Sequence, residues 1–294
     1  MTVSAYLDGR WVNATSPHLS LSTQGLQYGT AVFEGIRAYR SKKNTQVRLF
    51  EAKAHFERLR ASCQVLRIDI RESVEELISI AEELVTRNHH DDDCYIRPVV
   101  CKTTFLPGTP FGVKLSGVAH SVILTSVSMS SRLGRPTRLG IASTRRVANA
   151  SMPTRAKISG AYVSSALAVD ECTVRGYDDA LLLTSEGRVA EASTSNIILR
   201  RGDAVITPSL DQGILPGITR SLVLNMAKHD GYEVIERPIE LAELFAADEL
   251  LLTGTGIEIS PVTSIEGQKI RDGKPGDFTR HICQQYEEKT RATY

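Results

Sequence analysis

The chain contains the run Pro153-Thr154-Arg155-Ala156-Lys157-Ile158-Ser159-Gly160-Ala161-Tyr162, with a lysine at its centre. Thirty-four positions after Lys157 an acid, Glu191, lies in a segment with the composition of a β-strand. A lysine amine can hold pyridoxal phosphate as a Schiff base, and a carboxylate facing the pyridine nitrogen keeps the ring protonated as an electron sink. The pair therefore suggests a pyridoxal phosphate site. It is a weak signal alone, because the chain has 35 lysines and arginines.

The overall composition is that of an ordinary globular protein. Its 294 residues predict about two domains. There are 35 basic and 34 acidic side chains, a net charge of +1, and no run of five like charges, so neither nucleic acid nor a membrane surface is a predicted partner. The start lacks a signal-peptide pattern and no apolar stretch reaches about 18 residues, which predicts a cytoplasmic protein.

The cysteines are odd in number, scattered, and without a Cys-x-x-Cys pair: Cys63, Cys94, Cys101, Cys172 and Cys283. This pattern is typical of free thiols rather than of a disulfide framework or a zinc site. The sequence therefore predicts no metal centre.

Apolar spacing and turn residues predict an alternation of helices and strands. Helices are expected from near Glu51 and at 73–85, 161–174, 218–229 and 241–246. Strands are expected at 47–50, 94–101, 119–127, 179–184, 190–199 and 204–207. No internal repeat or low-complexity linker is detected.

Residues 129–137, with Gly134 and Pro136, have the composition of an exposed connection. We place the domain boundary there. This predicts a small N-terminal domain at 1–128, an interdomain loop at 129–137, and a large cofactor-binding domain at 138–294.

Two loops in the second half of the chain have features of phosphate sites. Leu215-Pro216-Gly217-Ile218-Thr219-Arg220 opens a predicted helix, whose first N–H groups would attract an anion. Gly254-Thr255-Gly256 follows the apolar strand Leu250-Leu251-Leu252 and would allow a ligand to approach the backbone closely. Taken singly, each is as well explained by ordinary turn chemistry.

Together these blocks occur in a recognisable order. The strongest are Tyr28-Gly29-Thr30-Ala31-Val32-Phe33-Glu34-Gly35-Ile36-Arg37, Tyr95-Ile96-Arg97-Pro98, the Lys157 block, Leu215 to Arg220, and Gly254 to Val262. Over nearly its whole length the chain resembles the branched-chain aminotransferase family of fold type IV pyridoxal phosphate enzymes. The resemblance implies an α+β fold like that of D-amino acid aminotransferase, with a smaller N-terminal α/β domain and a larger C-terminal domain containing a pseudo-barrel of strands.

The resemblance also implies roles in binding pyridoxal 5'-phosphate. Lys157 would form the internal aldimine and then move a proton between the substrate α-carbon and the cofactor C4′ atom. Glu191 would bind the pyridine nitrogen, and Tyr162 would bind the ring oxygen. The implied phosphate ligands and ring contact are Arg58, Ile218, Thr219, Thr255 and Leu215.

For the substrate, the resemblance implies one pocket that accepts both an aliphatic side chain and the carboxylate of glutamate. Tyr28, Phe33 and Tyr95 would form apolar walls, and Arg97 would meet the side-chain carboxylate. The α-carboxylate would be bound by backbone donors at Thr255 and Gly256 together with the Tyr95 hydroxyl. Arg37 would organise the tyrosines or serve as a structural ion-pair residue. The family is dimeric, so a homodimer is expected, with Tyr28 and the 105–113 loop crossing the interface.

The chain departs from the family pattern at two places. Gly256-Ile257 stands where branched-chain enzymes commonly carry two alanines, and Glu191-Ala192-Ser193-Thr194-Ser195-Asn196 replaces their glycine-rich version. Arg155 is either a second carboxylate binder or a surface charge. These departures leave specificity open between L-branched-chain amino acids and D-amino acids or (R)-amines.

We therefore expect ping-pong transfer of the amino group of L-leucine, L-isoleucine or L-valine to 2-oxoglutarate. Two other classes stay open. One is a lyase such as aminodeoxychorismate lyase, which shares the fold and the lysine, and the other is a cofactor-binding protein that has lost catalysis.

Overall fold

The computed structural model describes residues 3–16, 19–44, 46–109 and 111–292. The first two residues used in judging the start of the chain, and residue 110 of the predicted 105–113 loop, lie outside the described residues. So do residues 17, 18, 45, 293 and 294.

The described strands are given in chain order. They are β1 (Ser4–Leu7), β2 (Arg10–Asn13), β3 (Ala31–Phe33), β4 (Ile36–Arg40), β5 (Val47–Leu49), β6 (Cys94–Lys102), β7 (His120–Ser128), β8 (Thr137–Ile141), β9 (Asp179–Leu183), β10 (Val189–Ala192), β11 (Asn196–Arg201), β12 (Ala204–Thr207), β13 (Glu233–Glu236), β14 (Glu249–Gly254), β15 (Glu258–Ile265) and β16 (Gln268–Lys269).

The described helices complete the element set. They are α1 (Gln24–Tyr28), α2 (Ala52–Val65), α3 (Val74–Arg87), α4 (Tyr162–Val174), α5 (Ile218–His229), α6 (Leu241–Phe245) and α7 (Asp277–Arg291). Five of these were predicted within a few residues: α2, α3, α4, α5 and α6.

Helix α3 shows why local sequence was sufficient for several of these elements. Ser73 accepts a hydrogen bond at Oγ from the Glu76 N–H at 3.1 Å, and the Glu76 carboxylate accepts from the Ser73 N–H at 2.7 Å. This capping box supplies partners for N–H groups that the first turn leaves unpaired. The buried residues Leu77, Ala81, Leu84 and Val85 then follow the helical repeat.

Two sheets organise the part of the chain that the structure describes. The first has seven strands in the order β2-β1-β7-β6-β4-β5, with β3 also paired to β6, and all its pairs are antiparallel. The second has nine strands in the order β10-β9-β8-β15-β14-β11-β12-β13, with β16 paired to β15. The second sheet is mixed, because β8 runs parallel to both β9 and β15 and β12 runs parallel to β13. The predicted α+β class is confirmed.

The apolar core of the second sheet contains side chains from most of its strands. Leu139, Leu181, Ile197, Leu250 and Val262 are among its members, and each is at most 4% exposed. Removing such a side chain from water contributes about 1.5–3 kcal/mol. This packing holds rigid the strand ends that carry the site residues described below.

The structure forms two compact units. The first contains the described residues of Met1–Ser130, Ala156–Ala161 and Thr290–Tyr294, and the second contains Ser131–Arg155 and Tyr162–Lys289. The Lys157 segment therefore belongs to the first unit, although chain order places it in the second half of the sequence. Its backbone pairing with β3 explains this assignment.

The predicted strand 190–199 was wrong as a single element. It is divided into β10 and β11 by a bend at Ser193, Thr194 and Ser195, where the Ala192 N–H donates to the Ser195 carbonyl at 2.8 Å. Three consecutive hydroxyl residues offer the backbone alternative hydrogen bonds and disfavour a continuous ladder.

Candidate active site

In the first unit, the Lys157 segment lies beside β3 and pairs with it through backbone hydrogen bonds. Ile158 forms an antiparallel bridge with Val32, and the Phe33 N–H donates to the Lys157 carbonyl at 3.1 Å. On the other side, the Lys157 N–H donates to Ser62 Oγ of α2 at 3.0 Å. Backbone bonds to two different elements therefore fix the position from which the lysine side chain extends.

Two glycines allow the chain to pass close beside this segment. Gly29 has φ +68°, and a Cβ there would lie 2.8 Å from the Gly160 Cα. The Gly160 N–H donates to the Gly29 carbonyl at 3.2 Å. A side chain at Gly29 would be strained and would also separate these two backbones.

The Lys157 amine lies in an aromatic and cationic cluster. Its Nζ is 4.7 Å from the ring centroid of Phe33, and the Arg97 guanidinium carbon is 4.8 Å from the same centroid. Arg97 also lies 5.1 Å from the Tyr95 ring centroid and donates through Nη2 to the Tyr95 hydroxyl at 2.9 Å. The structure thus brings together four of the predicted site residues: Lys157, Phe33, Tyr95 and Arg97.

Tyr95 remains a neutral phenol in this cluster. Burial raises its pKa above the ordinary value, and the positive charge of Arg97 opposes this rise only in part. Gly35 makes the position possible, since a Cβ at residue 35 would lie 1.7 Å from the Tyr95 hydroxyl oxygen. The glycine in the sequence block Phe33-Glu34-Gly35 therefore makes room for the tyrosine.

Arg58, the predicted phosphate ligand, is oriented by a buried carboxylate. Its Nε and Nη2 donate to the two oxygens of Glu34 at 2.6 and 2.9 Å, and His55 Nδ1 lies 2.8 Å from Glu34 Oε2. Glu34 is fully buried, with 0% exposure. A bidentate pair of this kind fixes the plane of the guanidinium group.

The charge states of this triad follow from its partners. Burial alone would raise the pKa of Glu34, but the charge of Arg58 and hydrogen bonds from His55 and Arg58 outweigh burial and lower the pKa to about 2. Burial lowers the pKa of His55, even though Glu34 opposes this shift. At neutral pH, Glu34 is therefore ionised and His55 is neutral, with its Nδ1–H donating to Glu34.

The triad predicts a loss of stability in acid. The pKa of Glu34 falls from 4.5 to about 2 on folding, so its stabilisation is complete above pH 4.5 and is lost as the pH falls toward 2. The shift corresponds to at most about 3 kcal/mol. Because burial lowers the pKa of His55, the unfolded chain binds a proton at this residue more readily than the folded protein does. The free energy of unfolding therefore falls further as the pH drops below the ordinary histidine pKa. We expect thermal unfolding between pH 7 and 3 to show a steeper acid decline for the wild type than for Glu34→Gln, and parallel curves would contradict this origin.

The second unit contains a carboxylate site around Glu191. Glu191 Oε1 accepts from Arg146 Nε at 2.7 Å, and Oε2 accepts from Asn196 Nδ2 at 3.0 Å and from the Leu215 N–H at 3.2 Å. The Arg146 and Glu191 side chains are 8% and 9% exposed. A buried arginine together with two further donors fixes the orientation of this carboxylate. Glu191 and Leu215, both predicted, thus lie in direct contact.

The N-terminus of α5 adjoins this carboxylate site. Asn196 Nδ2 also donates to the Leu215 carbonyl at 2.9 Å, and a Cβ at Gly217 would lie 1.9 Å from Asn196 Oδ1. Glycine at 217 is thus required for the close approach. The helix begins at Ile218 without a side-chain cap, and Thr219 is 4% exposed. The first N–H groups of such a helix form an anion site.

The turn 255–257 connects β14 to β15, with Gly254 paired opposite Glu258. A Cβ at Gly256 would have no atom within 4 Å, and its backbone is outside the left-handed region. Alanine therefore fits at this position without strain. The departure of the sequence from the family pattern here is not imposed by crowding.

Other predicted residues lie elsewhere. Tyr28 ends α1, is 44% exposed, and packs edge-on against Phe105 with ring centroids 6.2 Å apart. Arg37 is 1% exposed and donates to the carbonyls of Met129 and Ser130 at 3.1 and 3.0 Å. The Arg37 side chain thus binds the backbone of residues 129 and 130, where the first long segment of the first unit ends.

Tyr162 begins α4 and lines a cavity of about 480 Å³ in the second unit. Ser165, Val169, Ser193 and Thr194 are among the other residues that line it. Arg155, by contrast, is an exposed residue.

The sequence did not predict several residues that contact the predicted site residues: Glu34, His55, Ser62, Arg146 and Asn196. For two of them a signal was available, because His55 and Ser62 lie three residues before and four after Arg58 on a predicted helix and so share its face. Nothing near Arg146 in the sequence indicates its pairing with Glu191.

Each unit, taken by itself, contains groups of the kinds that bind pyridoxal phosphate. One unit holds a primary amine and an oriented arginine, and the other holds a fixed carboxylate and a helix N-terminus suited to a phosphate ester. Among the described residues, no cluster of three or more His, Cys, Asp or Glu side chains is arranged to hold a metal ion. No described helix is long and apolar enough to cross a membrane. These groups are those that a pyridoxal phosphate-dependent enzyme uses.

Comparison with known proteins specifies the family. Residues 31–265 match the family described as Amino-transferase class IV, and the chain belongs to that family. A probable branched-chain-amino-acid aminotransferase of Aquifex aeolicus (strain VF5) is 37% identical over 96% of this chain and 90% of its own length. The predicted recognition, enzyme class and cofactor are confirmed: the protein is an aminotransferase that uses pyridoxal 5'-phosphate.

Solved structures agree with this assignment. The branched-chain aminotransferase from the archaeon Thermoproteus uzoniensis with norvaline has a TM-score of 0.92 at 34% identity, covering 99% of this chain and 95% of that one. A T.th. branched-chain amino acid aminotransferase complexed with N-(5'-phosphopyridoxyl)-L-glutamate also has a TM-score of 0.92 at 34% identity, covering 99% and 94%. The predicted fold type is confirmed.

Proposed function

We propose that this chain transfers the amino group of L-leucine, L-isoleucine or L-valine to 2-oxoglutarate. The observation that carries the proposal is the position of Arg97, 4.8 Å from the Phe33 ring centroid and 5.1 Å from that of Tyr95, on the same ring that Lys157 contacts. Such a wall offers aromatic surface to an aliphatic side chain and a guanidinium to a carboxylate. The two half-reactions need these two properties in one pocket.

Lys157 is the catalytic residue in this proposal. Pyridoxal phosphate, when bound, supplies an electron sink for the substrate α-carbon. Lys157 anchors it covalently and then carries a proton between that α-carbon and the cofactor C4′ atom. Because the Lys157 backbone is tied to Phe33 and Ser62, its amine returns to the same place in each half-reaction.

The other cofactor-binding residues would each hold a different part of pyridoxal phosphate. Glu191, held by Arg146, would accept a hydrogen bond from the pyridine nitrogen, and Tyr162 would donate to the ring oxygen. Leu215 would contact the ring. The residues that would bind the phosphate are Arg58, Ile218, Thr219 and Thr255.

The substrate α-carboxylate is assigned to the backbone donors of Thr255 and Gly256 and to the Tyr95 hydroxyl. Tyr28 and Phe33 would form the apolar wall of the pocket, and Arg97 would pair with the side-chain carboxylate of glutamate. Arg37 has a supporting role, because its Nη1 and Nη2 donate to backbone carbonyls. The ligands of the two solved relatives, norvaline and a phosphopyridoxyl-L-glutamate, belong to the aliphatic and acidic classes and support this division.

Steady-state kinetics test the proposed exchange. Initial rates measured with varied L-leucine at several fixed 2-oxoglutarate concentrations should give parallel double-reciprocal lines, as a ping-pong mechanism requires. Turnover that needs no 2-oxo acid would instead identify a lyase of the aminodeoxychorismate lyase type. Cofactor binding without either activity would identify a protein that has lost catalysis.

A substitution at Gly256 tests the second candidate function, which is transamination of D-amino acids or (R)-amines. Gly256→Ala restores the residue common in branched-chain enzymes, and the space at Cβ is free. We expect the free energy of unfolding to rise by about 0.4–1 kcal/mol, because alanine restricts the unfolded chain. Conversion by L-leucine should be retained. A variant that loses L-leucine and keeps D-alanine would favour the second candidate.

We also propose a homodimer. Exposed apolar side chains are concentrated near α1 and the described part of the 105–113 loop, where Leu26 is 69%, Phe111 66% and Val113 65% exposed. Phe105 joins this cluster through ring contacts to both Tyr28 and Phe111. Contiguous apolar surface of this kind marks an association site. Light scattering at micromolar concentration would measure the assembly.

A cytoplasmic location is part of the proposal. All five cysteines are free thiols, and four of them are buried. Free thiols are typical of a reducing compartment.

A further inference from the structure

Glu258 is an unusual residue at the base of the turn 255–257. It is the first residue of β15, is 1% exposed, and has a φ of 62°. The left-handed region is unfavourable for a residue with a side chain, and a buried carboxylate is unfavourable unless it is hydrogen-bonded. Both features persist only where surrounding contacts maintain them.

Those contacts come from the segment that opens the second unit. Glu258 Oε2 accepts from the Arg132 N–H at 2.6 Å and from Ser131 Oγ at 2.8 Å. The next residues of β15 bind the same segment, because the Gly134 N–H donates to the Ile259 carbonyl at 2.8 Å. The base of the turn is therefore fastened to residues 131–134.

The turn 255–257 joins two paired strand ends, with Gly254 opposite Glu258. Gly256 within the turn has no side chain to pack against a neighbour. Glycine leaves the backbone more conformations than any other residue. Backbone donors bind a carboxylate well only when they are already oriented toward it. The anchored carboxylate of Glu258 fixes one end of the turn, and so limits the orientations of the backbone donors within it.

We propose that Glu258 is a positioning residue that holds the turn 255–257 in the shape that binds the substrate α-carboxylate. This proposal rests on the proposed function, which assigns the α-carboxylate to Thr255 and Gly256. Glu258 acts on substrate through the turn.

The test replaces Glu258 by glycine. Glu258→Gly keeps the left-handed backbone accessible and removes the carboxylate anchor, and it also gives the backbone more freedom at this one position. The probe is 4-methylpentanoate, which has the carbon skeleton and carboxylate of L-leucine but no amine. Its Kd for the cofactor-loaded protein should rise about tenfold, the effect of weakening one charge-assisted hydrogen bond. The KM for L-leucine should rise by a similar factor, and kcat should change much less. Both are measured with pyridoxal phosphate in excess, because Thr255 of the same turn is also assigned to the cofactor phosphate.

The matched control is Glu266→Gly at the other end of β15. Glu266 also has a left-handed backbone, with φ 49°, and its carboxylate accepts from the Ile141 N–H at 2.5 Å. This variant also replaces a left-handed glutamate by glycine, but it does so at the end of β15 that is distant from the turn 255–257. It should lower thermal stability and leave the Kd for 4-methylpentanoate unchanged.

Glu258→Asn is a second variant, used where the glycine protein does not fold. Asparagine tolerates the left-handed region, but its side chain is one methylene shorter and does not reach the same donors. It should raise the Kd in the same direction.

The outcomes separate the two claims. A wild-type protein that binds 4-methylpentanoate, with an unchanged Kd in both Glu258 variants, would overturn the role of Glu258 alone. Equal increases in the Glu258 and Glu266 variants would do the same, since general loosening would explain them. A wild-type protein that neither binds this probe nor reacts with L-leucine would overturn the proposed function, and the positioning role with it.

Discussion

Lys157→Ala is expected to abolish covalent attachment of the cofactor and to lower turnover by at least about 10⁴-fold. Alanine has no amine to bond to pyridoxal phosphate or to carry the proton, and the neighbouring cations are guanidinium groups that do not deprotonate in proteins. Two measurements check this: the visible absorbance of the protein-bound cofactor, and peptide mapping after borohydride reduction. The mapped label in the wild type should be on Lys157.

Arg155→Ala is the control for this experiment, because Arg155 is an exposed cation two residues earlier in the same block. It should keep both the absorbance and the turnover. Substantial turnover in Lys157→Ala, or a reduced label on another lysine, would contradict the assignment.

Glu191→Gln is expected to have the second-largest effect. The amide cannot keep the pyridine nitrogen protonated, so the proton transfer at the substrate α-carbon should slow by about 10²-fold or more. The same change leaves Arg146 buried without its anion, and breaking a buried ion pair of this kind lowers the free energy of unfolding by about 3 kcal/mol. Covalent attachment at Lys157 should persist, since that step needs only the lysine. Stopped-flow absorbance and urea unfolding would measure the two effects.

The control here is Glu186→Gln. Glu186 is an exposed carboxylate in the loop between β9 and β10, on the same hairpin as Glu191. Its replacement should change neither the rate nor the stability appreciably. A Glu191→Gln enzyme with the wild-type rate would show that Glu191 is not the pyridine partner.

Part of this site was predictable because its chemistry is local in sequence. Lys157 lies in a distinctive block and Glu191 in a strand-like segment, and Leu215 to Arg220 joins a Pro-Gly turn to a helix start. Helix α3 was predictable from the Ser73 and Glu76 capping pair together with apolar spacing. In each case, neighbouring residues in the chain supply most of the determining contacts.

Helix α7 was not predicted, although a signal was present. Phe278, Ile282 and Tyr286 recur every four residues and are all buried. The remaining positions are so polar that the segment does not stand out by composition. Spacing, rather than mean hydropathy, was the informative quantity there.

The contacts that sequence reasoning missed join residues distant along the chain. Arg146 meets Glu191 because the loop after β8 runs beside the end of β9, where the Arg146 N–H donates to the Leu183 carbonyl at 2.9 Å. Glu34 meets Arg58 because α2 packs beside the end of β3. Likewise, the Lys157 segment joins the first unit through the bridge of Ile158 to Val32. A single sequence contains no local signature of such pairings, since they depend on the sheet order.

The most direct measurement of the central claim is the first half-reaction. The purified, cofactor-loaded protein is mixed separately with L-leucine, D-alanine and (R)-1-phenylethylamine, without an amino acceptor, and the absorbance change to the pyridoxamine form of the cofactor is followed. We expect fast and complete conversion by L-leucine and slow or no conversion by the other two. Conversion mainly by D-alanine or by the amine, or no conversion by any of the three, would contradict it.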